Sequence, residues 1–189
     1  DYDGTASSLL VEPERTNLVL TSASGDYGNP PASEINTTAP DGTNDAIRPV
    51  PNATADRYKH IISGGTYATG TKLTYSWYRK RISTPTGVIV VGDLEIKVLV
   101  NLTELEVANA REIASDINGF DRFAAVVEIV DGALDSTFRA YFGDVIEIGN
   151  SSVAYWGHQY EEGSYATSYI PTDGTTVTRV QDQYEKTGI

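Results

Sequence analysis

Carboxylates, imidazoles and aromatic rings carry whatever chemistry this sequence can perform. Glu161-Glu162 is its one adjacent acidic pair, and glycoside hydrolysis needs two carboxyl groups placed across the scissile bond. Neighbouring residues of a strand point to opposite faces, so these two cannot act as a pair. The two histidines, His60 and His158, fall in separate predicted strands, Cys is absent, and no nucleophile-elbow motif accompanies them. Catalysis is therefore not expected. Asp41, Asn44 and Asp45, with Asp56 further on, offer the oxygen ligands that a structural Ca²⁺ takes, without EF-hand spacing. The same residue types also form turns on their own account.

Sugar recognition asks for a different set: rings on which apolar C–H faces lie, beside side chains that read hydroxyls. Twelve Tyr and two Trp supply the rings. On a strand from Leu73, period-two geometry sorts Leu73, Tyr75, Trp77 and Arg79 from Thr74, Ser76, Tyr78 and Lys80, and one set must face the core. The same parity puts Ala154, Trp156, His158 and Tyr160 together, making Trp156 beside His158 a candidate stacking platform with a polar reader. A Trp at a strand centre also serves as packing. Arg139 and Tyr141 share a face opposite Phe138, Ala140 and Phe142, and form the solvent-facing pair of that strand.

The elements that must position these side chains are all strands. Asn17–Leu20, Tyr58–Ser63, Lys72–Ile82, Val88–Val91, Leu94–Leu102, Phe123–Val130, Thr137–Phe142, Val145–Ile148 and Val153–Glu161 are runs of β-branched and aromatic residues bounded by Gly, Asp, Asn or Pro. Lys72–Ile82 is the longest and is expected at the centre of a sheet. Thr21 to Pro51 reads as a long surface excursion, with Ala46–Val50 inside it as an edge strand compatible with its flanking prolines. Leu105–Ile117 is the one stretch with mixed spacing that admits a helix, a single turn or a loop. About ten to twelve short antiparallel strands at a spacing near ten residues predict an all-β, jelly-roll-type β-sandwich.

At 189 residues the chain suits one domain spanning 1–189. Its formal net charge of −12 speaks against nucleic acid or an anionic membrane as partner, since both need a basic surface. The Arg79-Lys80-Arg81 triplet reads as a solvated strand end. No apolar run approaches the roughly 20 residues of a membrane span, so no membrane insertion is expected. Cys is absent, which leaves the compartment open. Met is absent even at position 1, and the chain is expected to be excised from a longer multi-domain protein.

Trp156-Gly157-His158-Gln159-Tyr160-Glu161-Glu162-Gly163-Ser164-Tyr165-Ala166-Thr167-Ser168-Tyr169-Ile170-Pro171-Thr172, followed by Val177-Thr178-Arg179, resembles the closing motif of a family of phage and prophage tail-fibre modules. Asp1-Tyr2-Asp3-Gly4 and Ser8 to Leu18 look like that family's opening motif. Ala39-Pro40-Asp41-Gly42-Thr43 and Leu73 to Lys80 are similar to internal positions. Asn118-Gly119-Phe120-Asp121-Arg122 departs from a turn that carries larger aromatics in the family. The resemblance implies a carbohydrate-binding, concanavalin-like or jelly-roll sandwich joined to neighbouring fibre domains, presented as a homotrimer on a virion tail or head fibre and otherwise secreted. It implies bacterial surface polysaccharide or glycan as partner. It also puts Tyr75 and Trp77 in the core and Ser76, Tyr78 and Lys80 on the outer face, so the candidate sugar-binding residues are Tyr78, Lys80, Arg139, Tyr141, Trp156 and His158, with Asp41, Asn44 and Asp45 for metal. Two other readings stand beside this one: a structural spacer of the fibre that binds no sugar, and a polysaccharide hydrolase or lyase.

Overall fold

The computed structural model describes residues 11–23, 33–50, 57–62, 67–81, 94–100, 103–108, 111–129, 137–142 and 153–183. The opening motif up to residue 10, the predicted strands Val88–Val91 and Val145–Ile148, and Asp56 lie outside them. The strands in chain order are β1 (Arg15–Asn17), β2 (Ser33–Thr37), β3 (Ala46–Val50), β4 (Arg57–Ile62), β5 (Lys72–Arg81), β6 (Leu94–Val100), β7 (Thr103–Ala108), β8 (Arg111–Ile117), β9 (Phe120–Glu128), β10 (Thr137–Phe142), β11 (Val153–Glu162) and β12 (Val177–Arg179). Among the described residues there is no helix, and every pairing is antiparallel. One sheet has the order β2-β3-β11-β5-β9-β8, a second β4-β10-β6-β7, and β1 pairs with β12.

Two expectations are corrected. The described residues of Leu105–Ile117 are strand, in β7 and β8, because Leu105 and Val107 alternate with Glu104 and Glu106 at the strand period and β6 and β9 offer free edges to pair with. β8 turns into β9 through Asn118-Gly119, both at positive φ (53° and 83°), the two-residue hairpin turn that Asn-Gly favours. Nor is β3 an edge: β2, drawn from the supposed surface excursion, lies outside it in register Ser33↔Val50 to Thr37↔Ala46.

β5 lies inside the six-stranded sheet and buries both of its faces. Leu73, Tyr75 and Trp77 join Ala125, Val127, Ile129, Tyr155, Tyr160 and Val19 in one apolar cluster. Tyr75 stacks on Trp77 at 5.1 Å and Trp77 on Phe123 at 5.9 Å, contacts worth about 0.5–1.5 kcal/mol each beyond the area they bury. The opposite face, expected to meet solvent, is covered as well: Thr74 and Ser76 are fully buried and Tyr78 is 8% exposed. The segment after β11 lies across it, with Thr74 Oγ1 donating to Gly163 O (2.8 Å) and Arg122 Nη2 bridging Ser76 Oγ (3.0 Å) and Thr167 O (2.8 Å).

A bulge in β11 decides which ring goes where. Trp156 pairs with Tyr78 but Gln159 pairs with Ser76, so Gly157 and His158 together stand opposite Trp77. Face parity shifts by one residue there. Ala154 and Trp156 lie in a cluster with Tyr78, Phe120, Ala39 and Ala46, whereas Tyr155 and Tyr160 both belong to the other cluster. Gly157 makes this possible, with φ at +63° and a Cβ position that would fall 2.7 Å from Tyr78 Cδ2.

Beyond the bulge, β11 is bound to both described ends of the chain. Asn17, fully buried, donates through Nδ2 to His158 O (3.2 Å) and Ile170 O (2.8 Å), and accepts at Oδ1 from Val19 N and Tyr160 N (both 3.1 Å). Its two donor and two acceptor positions are all used. Glu161 and Gln159 repeat the device toward the C-terminal side: Glu161 accepts from Thr167 N, Thr167 Oγ1 and Gln159 Nε2, and Gln159 Oε1 accepts from Ile170 N.

Gly157→Ala is expected to destabilise the domain by roughly 2–4 kcal/mol, the sum of a left-handed backbone on a Cβ residue and a clash with Tyr78, read from the urea unfolding midpoint. Asn17→Leu, which keeps the volume but strands four buried backbone groups, is expected to cost about 3–5 kcal/mol in the same measurement. A loss under about 1 kcal/mol would mean that other groups replace the amide.

Candidate functional site

The bulge, the loop before β3 and the segment after β11 together build a concavity of about 430 Å³ lined by Thr21, Ser22, Ala23, Asp41, Asp45, Trp156, Tyr169, Pro171, Thr172 and Asp173. Local sequence accounts for each wall. Asp41 folds its loop into a turn: its Oδ1 accepts from Thr43 N (3.0 Å) and Thr43 Oγ1 (2.6 Å), Ala39 O accepts from Gly42 N, and Gly42 supplies the positive φ of 91°. Asn118 Nδ2 of the β8–β9 turn reaches Pro40 O and fixes that loop from outside.

Asp45 is anchored by the Trp156 indole, whose Nε1 donates to Oδ1 at 2.9 Å. The opposite wall is held by Ser22: its Oγ bonds the Tyr169 hydroxyl at 2.6 Å and accepts from Thr172 N at 2.8 Å, while Thr172 Oγ1 donates to Val19 O at 2.6 Å. Tyr169 then packs against Trp156 with ring centroids 4.6 Å apart, and Tyr78 supports Trp156 edge-on at 5.3 Å. The floor and both walls are therefore fixed before any ligand arrives.

The residues singled out from sequence do not converge on one face. Tyr78 is buried in the cluster with Trp156 and does not line the pocket, and Arg122 lies 5.2 Å over its ring. Lys80 is half-buried with its ammonium 5.4 Å from the Phe120 ring. Trp156 is 4% exposed and offers its edge to the pocket's carboxylates. His158 lies on the other side of the sheet, fully buried, its Nδ1 2.5 Å from the Tyr75 hydroxyl, so the bulge separates the Trp156–His158 pair that simple alternation joins. Arg139 and Tyr141 belong to β10 of the other sheet, in register with Lys97 and Glu95 of β6; their side chains are outside the described residues.

Asp41 and Asp45 do come together, with the Oδ1 of each within hydrogen-bonding distance of the Thr43 hydroxyl, which has one proton to give, whereas Asn44 is exposed. Among the described residues no three His, Cys, Asp or Glu side chains are grouped to hold a metal ion. These two carboxylates are organised around a hydroxyl donor. Tyr169, Asp173 and Ser22 were not singled out from the sequence. Tyr169 sits in the closing motif, and the cue available was an aromatic in the run Ser168-Tyr169-Ile170-Pro171, whose Ser and Pro end a strand.

A larger concavity of about 710 Å³ lies between Arg15, Lys72 and Glu162, with Glu14, Leu18 and Ser164 among its walls. No aromatic side chain lines it, and its charges are of both signs, which leaves the Trp156–Tyr169 pocket as the better fit for a ring-shaped ligand.

Burial, and then the negative charges of Asp45 and Asp41, push the Tyr169 phenol up to about 12 from its ordinary 10.0; burial also raises Tyr160 and Tyr67. An unfolded chain releases these protons from pH 10 upward while the folded one retains them. The stability they contribute is thus complete below pH 10 and is lost as pH rises toward about 12 and beyond. A series of urea melts is expected to show a falling midpoint above pH 10, with a shallower fall in Tyr169→Phe; a midpoint flat to pH 12 would contradict it.

No protein-family model matches the chain, and no curated protein matches it.

Proposed function

We propose that the chain is a non-catalytic carbohydrate-binding module of a phage tail or head fibre, a jelly-roll-type β-sandwich that attaches to bacterial surface glycans through the pocket between Trp156, Tyr169, Asp41, Asp45 and Asp173. The observation that carries this reading is the pocket itself: a preformed concavity at the rim of the six-stranded sheet, walled by two packed aromatic residues and edged by carboxylates that accept hydroxyl hydrogen bonds. The closing motif supports it from another side. Gln159, Glu161, Thr167, Ile170 and Thr172, all part of the residues that resemble tail-fibre modules, are engaged in one buried network, as a fold signature requires.

The acidic residues favour binding over hydrolysis. Glu161 is buried among Thr167 and Gln159 with Arg15 Nε at 3.7 Å, and Glu162 is exposed. Asp41 and Asp45 meet on one hydroxyl, leaving no room between them for a glycosidic oxygen and a water. A single shallow site binds weakly, and presentation as a trimer on a fibre would multiply it.

The spacer reading is favoured by one specific observation, the burial of Tyr78 and Trp156, whose ring faces are packed by protein. A glycan array and a host-cell binding assay on the 189-residue chain separate the two. Binding that falls about tenfold or more in Tyr169→Ala and in Asp173→Asn, and is unchanged in Lys80→Ala, supports the pocket. Melting curves on each variant check the fold. Binding to no glycan and no host surface would leave the spacer reading.

A further inference from the structure

We infer that the glycan taken by this pocket carries a free, protonated primary amine, so that the site selects amino sugars over their N-acetylated and acidic counterparts. The inference rests on the carbohydrate reading above and adds the chemical class of the ligand. It follows from a count of donors and acceptors along the pocket walls.

The side-chain donors are almost all committed. The Trp156 indole N–H goes to Asp45 Oδ1 and the Thr172 hydroxyl to Val19 O, while the Ser22 hydroxyl donates to Thr172 O at 3.4 Å and so receives the Tyr169 hydroxyl. That leaves the Thr21 hydroxyl as the spare donor among the lining side chains. The acceptors are mostly uncommitted. Asp41 and Asp45 each use Oδ1 on Thr43 or Trp156, and among the described residues their Oδ2 atoms, like the Asp173 carboxylate, accept no hydrogen bond. A ligand entering here finds acceptors and has to bring donors.

Charge narrows the choice. Among the described residues three carboxylates line the pocket and no Lys, Arg or His does. The raised Tyr169 phenol registers the same field, since the Asp45 and Asp41 charges add to the effect of burial. A sugar hydroxyl gives one donor but brings lone pairs that these walls cannot satisfy. An ammonium group gives three donors and no acceptor, and it compensates the carboxylates. Sialic or uronic acids and phosphate-bearing polymers meet like charge, which disfavours them.

The test is titration calorimetry of the full chain with three probes: a glucosamine oligomer, the same oligomer fully N-acetylated, and a simple alkyl diamine. The glucosamine oligomer is expected to bind about tenfold or more tightly than the acetylated one, with affinity falling as salt rises from low to physiological concentration. Asp173→Asn and Asp41→Asn, both exposed positions, are expected to remove most of that preference while the thermal melt is unchanged. Equal affinity for the two oligomers, or a preference that survives both variants, overturns the inference. The diamine binding as tightly as the glucosamine oligomer would overturn it too, by showing a cation site indifferent to sugar. If neither oligomer binds but a neutral glycan does on the array, the amine inference fails and the carbohydrate reading stands. If nothing binds, both fail.

Discussion

A strand that buries hydrogen-bonding side chains must be given partners for them, and in this chain that constraint falls on β11. His158, Gln159, Tyr160 and Glu161 are all fully buried. An unpaired polar group in such a place costs about 1–3 kcal/mol, more if charged, so a run of them is tolerable only if other chain closes over it. The partners of the Gln159 and Glu161 side chains, Ile170 and Thr167, come from the segment that follows, the His158 ring meets the Tyr75 hydroxyl, and Asn17 takes the strand's backbone at His158 O and Tyr160 N from the other side. Glu12 extends the tie, receiving Ser168 N at Oε1 and Arg179 at Oε2, while its backbone pairs with Asp182. The segments 11–23 and 163–182 are thus fastened to the sheet and to each other through the same strand.

The pocket is a consequence of that closure. Ser22 follows Asn17 by five residues and Thr172 follows Ile170 by two, so fixing Asn17 and Ile170 on β11 brings Ser22 and Thr172 within bonding distance. Tyr169 is then turned to Ser22 and laid against Trp156. The bulge at Gly157 supplies the remaining condition. Without the extra residue Trp156 and Tyr160 would share a face, and either the pocket would lose its indole or the core its tyrosine. One glycine lets a single strand serve both.

The sequence made the strands legible where they are long and continuously β-branched or aromatic. Lys72–Ile82, Thr137–Phe142 and Val153–Glu161 correspond closely to β5, β10 and β11, and the all-β class follows from them. Where neighbours rather than composition decide, it was silent. β7 and β8 carry enough Glu and Ala to suit a helix, and pairing with β6 and β9 settles them as strands. Alternation sorted Tyr75 and Trp77 from Thr74, Ser76 and Tyr78, and the resemblance put the first set in the core, but neither could foresee that the second set would be covered by a segment some ninety positions later. Nor could it register the parity change at the bulge, since Gly157 reads equally as a turn. The pocket was half legible for the same reason: Asp41, Asp45 and Trp156 stand out by type, while Tyr169, Ser22 and Asp173 matter only through long-range contacts.

The division of labour within the pocket bears on how such a module could change its ligand. Ser22, Thr172 and Trp156 are buried and tied to the closure, so replacing any of them disturbs the fold as well as the cavity. Asp41 and Asp173 are exposed and take no part in the core. Exposed charges contribute little to stability, yet in a concavity next to aromatic rings they set which ligand charge is welcome. On the proposed reading, the rigid half of the pocket supplies shape and the exposed carboxylates supply selectivity. A substitution of Asp173 by a neutral or basic residue, or of Asp41 by Asn, which keeps the acceptor its turn requires, would then redirect the module to neutral or acidic glycans at little cost to its stability. The closure around β11 would not be free to vary, and this separates the residues that mark the fold from those that would mark the ligand.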